Sequence, residues 1–488
     1  MVARLDGGHC APDWIDGQWV SSRRIGSSIN PSNGQALGQF ADGGAEEVQA
    51  AITAARKAFD SGTWAIDRHL RAAALSELAT RLEERVDRLS TTLSREMGKV
   101  IGQSRWEASM SALTLRYNAG AALSQTGTSS EPYPGVLATT RREPIGVAGI
   151  IVPWNAPIAL FVRAVGPALA AGCTIVVKMS AKTAQTNTIL AEAVAATKSL
   201  PPGVVNIFTE SGNEGAPLLV SSRDVEVVNY TGSTAVGRII GAQAAQTLKR
   251  TSLELGGKTP LVVFEDSDID EVAPTVVRAL TQFNGQFCMT GSRVLVQASV
   301  ADAYRRRIAE LLERVVVGPA DEESSEMGPL VDQASVQRVD RIVEESARYA
   351  KILVRGGKTS DPRLSGGAYY RPAMIECDSV EVPVVQQEVF GPVLSFETFE
   401  NENEAIERAN ATEFGLAAAV FTKDVDRAAR VVRRLLAGIV WTNGWGVLAD
   451  SSEEGGYKSS GIGRMRGQRA MEEFQEIKTH FHVYKMSA

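Results

Sequence analysis

Four cysteines are all that the 488-residue chain contains, and no two stand in a C-x-x-C pair. Cys10, Cys173, Cys288 and Cys377 therefore outline neither a disulfide framework nor a zinc ribbon, and reduced thiols in a cytoplasmic protein are the simplest reading. Histidine is equally scarce. His9, His69, His480 and His482 lie near the two ends or on a surface-helix pattern, which leaves Cys288 with no evident Cys–His or Ser–His–Asp partnership. His480 and His482 share one strand face, but a plain surface strand outweighs a metal site there, and no metal is expected. A basic excess is missing too: the net charge is −6, so nucleic acid is not an expected partner. No long hydrophobic run goes unbroken. The most apolar stretch, 145–177, is interrupted by Pro153, Trp154, Asn155, Pro157, Arg163 and Pro167, which excludes a membrane span. The opening residues lack the apolar core of a secretory signal.

What is present is length, glycine and alternation. A chain of this size exceeds one simple core, so two or three domains are expected. Its 44 glycines supply many tight turns. Residues 45–59 and 67–98 carry apolar positions at helical spacing and predict two amphipathic surface helices. From 145 onward strands and helices alternate. Strands are predicted at 145–152, 174–178, 204–208, 225–230 and 249–253, with helices at 159–171, 186–199 and 235–247. That order argues for a doubly wound parallel sheet covered on both faces. A second alternating set follows. Its strands are expected at 260–264, 293–296, 351–354, 370–375, 393–399 and 418–421, and its helices at 269–282 and 301–315. The segment 126–142 reads as a projecting β-hairpin. The segment 478–484 reads as a strand with nothing left in the sequence to pair with, so both become candidates for contact with a second subunit.

Several residues invite chemistry. Cys288 sits in the small, polar, glycine-punctuated stretch Phe283-Asn284-Gly285-Gln286-Phe287-Cys288-Met289-Thr290-Gly291, unlike the apolar setting of an inert thiol. Upstream, Leu253-Glu254-Leu255-Gly256-Gly257-Lys258 offers a carboxylate, and a thiol with a distant carboxylate suits covalent catalysis with a separate base. On local composition alone, a nucleophile and an inert cysteine stand level. The turn Thr231-Gly232-Ser233-Thr234 joins a strand to a helix, and a helix start capped by Ser233 is a phosphate site. Asn155 and Lys178 each end a strand at the carboxyl edge of the sheet, where doubly wound folds bind ligands. A turn asparagine and a solvated lysine are the plainer readings. Two leads fail: Gly257-Lys258-Thr259 lacks the glycine a P-loop needs at Ser252, and no strand precedes Gly461-Ile462-Gly463.

Taken in order, Asn155, Lys178, Gly232-Ser233, Glu254-Leu255-Gly256-Gly257-Lys258, Cys288 and Glu388-Val389-Phe390-Gly391-Pro392 resemble the aldehyde dehydrogenase superfamily. The resemblance runs from the Asn30-Pro31 turn through Gly455-Gly456-Tyr457-Lys458 to the terminal strand. It implies an α/β chain with an NAD(P)-binding domain (1–124 and 145–256), a catalytic domain (257–456) and an oligomerisation element (125–144 and 475–488). It also implies a homodimer or homotetramer acting on a small aldehyde. By this resemblance Cys288 is the nucleophile, the Asn155 amide holds the oxyanion, and Glu254 activates the water that releases the acid. Trp154, Lys178, Ala181, Lys182, Gly232, Ser233, Leu255, Glu388 and Phe390 fall on the cofactor, and Leu160, Arg163 and Phe287 on the substrate tunnel.

Two departures stand out. Many NAD-preferring members carry a glutamate three residues beyond the cofactor lysine; here Ala181 stands there, followed by Lys182, which opens the site to NADP alongside NAD. Many members also have tryptophan eight residues past the asparagine. Here it is Arg163, as in semialdehyde and some aromatic aldehyde dehydrogenases. Its companion arginine in succinate semialdehyde enzymes is Gln282 in this chain. Arg163 therefore either meets a substrate carboxylate or ties down local structure, while Phe287 favours a flat or aromatic substrate. The alternatives are a CoA-acylating relative and a cysteine-dependent (thio)ester hydrolase.

Overall fold

The structure, a computed structural model, describes residues 10–486. The first nine residues, including His9 and the segment searched for a signal, lie outside the described residues, as do 487–488. Five parallel strands form the middle of an eight-stranded sheet. They run in the order Arg250–Glu254, Val227–Thr231, Val147–Ile151, Thr174–Ser180, Val205–Glu210. Antiparallel strands close both edges: Gly461–Ile462 on Arg250–Glu254 at one, and at the other Asp13–Ile15 on Val205–Glu210 followed by the outermost Gln18–Val20.

Val147–Ile151 is buried along its whole length, as a strand covered on both faces must be. Its alternate residues feed two cores. Ala148 and Ile150 meet the helices Arg68–Glu83, Ile101–Ser124, Pro157–Ala171 and Ala184–Ala196. Val147 and Ile151 share the other core with Ala45–Asp60 and Thr234–Ala245.

A second sheet of seven strands has the order Lys351–Val354, Ala373–Glu376, Val393–Phe399, Arg293–Gln297, Pro260–Val263, Ala417–Phe421, Ile439–Thr442. All of its pairings are parallel except that of Lys351–Val354. Among the described residues no helix is long and apolar enough to cross a membrane. No cluster of three metal-ligating side chains occurs among them.

The sequence reading omits the helices Gln333–Ser346, Glu402–Asn410 and Val425–Arg434 and needs four further corrections. The terminal strand does have a partner in its own chain: Gln475–Val483 pairs antiparallel along all of Val136–Pro144, which also pairs with Thr128–Tyr133. Pairing across more than 300 residues leaves no local signal. The predicted helix over 67–98 is two helices, Arg68–Glu83 and Val86–Met97, separated at Glu84 and Arg85. Both bury leucines in the first core and are not merely surface helices. The long helix Ile101–Ser124 is not anticipated at all. Its buried face carries Ser104, Glu107, Ser111, Thr114 and Asn118, so polarity hides the period. The predicted strand over 370–375 is broken at Pro372 into Tyr370–Arg371 and Ala373–Glu376, since proline cannot donate to the ladder.

Candidate active site

Parallel register brings the carboxyl ends of the central strands level. Lys178 pairs with Ile151 on one side and Phe208 on the other, and Thr231 pairs with Glu254. Trp154 and Asn155 follow the strand that ends at Ile151, and Gly232 and Ser233 follow Thr231, so these residues share one sheet edge. Ser233 has extended backbone angles, and its hydroxyl accepts from the Val236 N–H at 3.4 Å, capping the helix Thr234–Ala245. Lys178 is half-buried. Desolvation lowers its pKa, partly offset by Glu210 and Asp42.

The thiol comes from the second sheet's side. Phe283, Asn284 and Gly285 have φ of 51°, 60° and 74°, three successive left-handed residues that swing the chain back before Cys288. Long-range contacts hold this turn. Asn284 donates to the carbonyls of Gly98 and Pro329, both at 2.8 Å, and accepts from the Gly328 N–H. The Lys99 ammonium lies 3.5 Å from the centre of the Phe283 ring and pairs with Glu107, both ions being fully buried. Glu107 in turn accepts from Ile158 and Ala159 N–H at the start of the helix Pro157–Ala171. A methyl on Gly285 would lie 2.5 Å from the Gly391 carbonyl carbon, so only glycine fits beside the Glu388–Pro392 loop.

Asn155 is buried, and its amide donates to the Gln286 carbonyl at 3.1 Å, two residues before Cys288. Cys288 keeps partial access, while burial of its surroundings pushes the thiol up to about 12. Arg163 opposes that rise, and Glu454, Glu388 and Glu254 add to it. Glu254 is buried, and its Oε1 has no hydrogen-bond partner. Desolvation raises its pKa to about 8 against the pull of Arg163.

The glycine pair lies between these groups. The Gly257 N–H donates to Glu388 Oε1 at 3.1 Å, and desolvation raises Glu388 to about 7. A methyl on Gly257 would stand 2.3 Å from the Cys288 carbonyl oxygen. Gly257→Ala is therefore expected to cost about 1–3 kcal/mol in denaturant unfolding and to slow turnover by displacing Cys288. Unchanged stability and rate would refute the contact.

Aromatic rings bound the rest. Trp154 and Phe390 meet edge-to-face at 5.6 Å, and Phe390 itself has φ of 52°. Arg338 donates to the carbonyls of Val389 and Phe390, fixing that loop. Phe287 stacks edge-on with Phe283 at 5.1 Å and Trp445 at 6.1 Å. Leu255 packs under the capped helix; a methyl on Gly237 would lie 2.4 Å from its Cδ2. Leu160 is half-buried at the edge of the first core. Ala181 opens a short 3₁₀ turn, and the exposed Lys182 pairs with Asp332 at 2.9 Å.

Arg163 is not free. It is 5% exposed, pairs with Glu454, and donates from Nη2 to the Thr231 hydroxyl at 2.8 Å. Sequence reading missed Glu454, along with Lys99, Glu107 and Asn284. The only signal for Glu454 is an acidic residue directly before the Gly455-Gly456-Tyr457 motif. Lys258, set aside as a P-loop lysine, is buried without a partner, and desolvation lowers its pKa to about 8.

Comparison with known proteins shows the family. The aldehyde dehydrogenase family model matches residues 19–480. Aldehyde dehydrogenase 1 of Tanacetum cinerariifolium is 37% identical, covering 96% of this chain and 94% of that protein. Betaine aldehyde dehydrogenase of Bacillus subtilis is 36% identical, covering 97% and 96%. Among solved structures, betaine aldehyde dehydrogenase from Staphylococcus aureus in complex with NAD+ superposes with a TM-score of 0.95 at 32% identity, over 98% of this chain and 96% of that one. An NAD-dependent aldehyde dehydrogenase from Sinorhizobium meliloti gives the same TM-score at 33% identity, over 99% and 96%. Matched in sequence and in fold over almost its whole length, the chain belongs to the aldehyde dehydrogenase family.

Proposed function

We propose that this NAD(P)-dependent aldehyde dehydrogenase oxidises a neutral, preferentially aromatic aldehyde to the free acid, with Cys288 as nucleophile and Glu254 as the base for deacylation. The observation that carries the reading is the meeting of three groups from distant parts of the chain. These are a thiol with partial access, the Asn155 amide bonded to the loop that carries the thiol, and a buried carboxylate with an oxygen left unpartnered.

Residues at the sheet edge fit a dinucleotide. The capped N-terminus of the helix Thr234–Ala245 suits a pyrophosphate. Lys178 and Glu388 suit the two riboses, and the Trp154–Phe390 pair suits a flat ring. When bound, the nicotinamide supplies the hydride acceptor that turns the thiohemiacetal into a thioester. Ala181 leaves no carboxylate against a 2′-phosphate, and the Lys182–Asp332 pair is half-exposed and weak, so NADP is accepted as well as NAD.

Chemistry at the chain's own residues runs as follows. Thiolate Sγ of Cys288 bonds to the aldehyde carbon, and the oxygen takes the charge. The second Asn155 amide hydrogen and the Cys288 backbone N–H hold that oxyanion. Glu254 then takes a proton from water as the water attacks the thioester carbon. The C–S bond breaks, and the acid leaves as Cys288 is regenerated.

Arg163 spends Nη1 on Glu454 and Nη2 on the Thr231 hydroxyl, and only Nε is left without a partner, so its charge is already matched inside the protein. That favours a neutral aldehyde over an anionic semialdehyde. The Phe283–Phe287–Trp445 rings beside Cys288 favour a flat one. A three-stranded sheet exposing Ile477, Phe481 and Val483 supports a homodimer or homotetramer.

The test is a steady-state panel of benzaldehyde-type, aliphatic and carboxylate-bearing aldehydes, each with NAD and NADP. Aromatic aldehydes are expected to give the highest kcat/KM. A semialdehyde ahead of every neutral compound would overturn the substrate reading, and NADP efficiency about a thousandfold below NAD would overturn the cofactor reading.

A further inference from the structure

We propose that Arg163, clamped by Glu454 and the Thr231 hydroxyl, is a positioning residue that holds a fixed cation at the strand end carrying Glu254, favouring the Cys288 thiolate while leaving the Glu254 carboxylate free. The inference rests on reading those two groups as nucleophile and base. Arg163 extends from the middle of the helix Pro157–Ala171 and is bonded to Glu454 and to the Thr231 hydroxyl. Thr231 is the register partner of Glu254, so the guanidinium is anchored at the end of the very strand pair that carries the base.

The row of charges continues outward. Glu454 Oε2 accepts from Arg466 Nε at 2.9 Å, Arg466 pairs with Asp450, and Asp450 accepts from the Thr114 hydroxyl at 2.9 Å. Four charges of alternating sign thus stand between the helix Ile101–Ser124 and the sheet edge. Arg163 and Glu454 are 5% and 2% exposed. A buried ion pair is weak evidence for stability, because desolvation of both ions offsets their attraction. A reason beyond stability is therefore called for.

Electrostatics supply it. Burial dominates the proton affinity of both Cys288 and Glu254, and Arg163 is the largest charge opposing it at each. Glu454 acts against Arg163 at both. Arg464 and Glu473 also face Glu254, and Glu388 and Glu254 face Cys288. A guanidinium in this position without Glu454 has one evident partner, the Glu254 carboxylate, whose Oε1 is unpaired. A direct pair would lower the proton affinity of Glu254 and immobilise its carboxylate, leaving the base unable to collect a proton from water. Glu454 keeps the cation near enough to favour the thiolate and far enough to leave the base free.

Opposite signs follow for the two partners. Glu454→Gln removes an anion, so Cys288 and Glu254 both ionise at lower pH. Arg163→Met removes the cation, so both ionise at higher pH. The first readout needs no cofactor: iodoacetamide alkylation of the apoenzyme at about pH 8.5, followed at Cys288 by peptide mass spectrometry. Alkylation is expected to be at least about threefold faster in Glu454→Gln and at least about threefold slower in Arg163→Met. The second readout is the pH profile of steady-state turnover, whose rising limb is expected to move down in the former and up in the latter.

Equal alkylation rates in folded variants, or shifts in the same direction, would make the pair merely structural. Should neither single variant fold, the apolar replacement Arg163→Met with Glu454→Leu decides. The larger effect belongs to Arg163, so slower alkylation than wild type supports the inference, and an equal or faster rate overturns it. Turnover by a Cys288→Ser enzyme would instead mean that the nucleophile reading itself is wrong, an outcome independent of the alkylation rates.

Discussion

Cys288→Ser is expected to lower kcat by about 10⁴–10⁶-fold with the fold intact. In the proposed reaction thiolate is the attacking species, and its cleft already makes ionisation hard: burial holds the thiol up at about 12. An alcohol starts several units higher and meets the same desolvation. Glu254, raised to about 8, is too weak a base to ionise it. Neither buried thiol can substitute: Cys173 donates to the Phe474 carbonyl, and Cys377 lies in a separate core. Single-turnover NADH formation with a benzaldehyde, alongside thermal melting, checks this. Turnover within about tenfold of wild type would remove Cys288 from the mechanism.

Glu254→Gln separates the two halves of the reaction. If Glu254 serves deacylation, its loss slows steady-state turnover by about 10²–10⁴-fold. The first turnover then still delivers a burst of about one NADH per active site, because hydride loss precedes hydrolysis. Absence of the burst would mean that Glu254 also ionises the thiol. The pH dependence has a definite sign. The working form is the carboxylate, and burial shifts its formation up to about 8, so wild-type steady-state rate rises with pH through that region. The rise is expected to vanish in Glu254→Gln. Adding coenzyme A distinguishes the acylating alternative. A large acceleration of wild-type turnover would show that a thiol, and not water, resolves the thioester.

Much of the architecture was readable along the chain, and the reasons are local. Strands such as Val147–Ile151 are apolar throughout because both faces are covered, the turns that follow strands carry Pro153 and Gly232, and Gly172 ends the helix Pro157–Ala171. Ser233 announces a helix cap by residue type alone. The helix Ile101–Ser124 was not readable. Its apolar stripe, Ala108, Ala112, Leu115, Ala119 and Ala122, is mostly alanine and is interleaved with buried Ser111, Thr114 and Asn118, whose side chains bond to the helix's own carbonyls or to Asp450, so the period carries little contrast.

The site divides along the same line. Residue type and order nominated Cys288, Glu254, Asn155 and Glu388, since nucleophile, base and amide donor must each be a particular chemical group. Their environment belongs to the tertiary structure. The Glu254 carboxyl is raised to about 8 only because residues far along the chain exclude water from it. Arg163 is the plainest instance. In the sequence it offers a cation to a substrate carboxylate. In the fold Glu454, 291 residues away, already occupies it. Sequence determined which groups this protein has to work with. Only the packing of distant segments decided which are charged, which are paired and which are left open to react, because desolvation and Coulomb attraction depend on distance in space and not on separation along the chain.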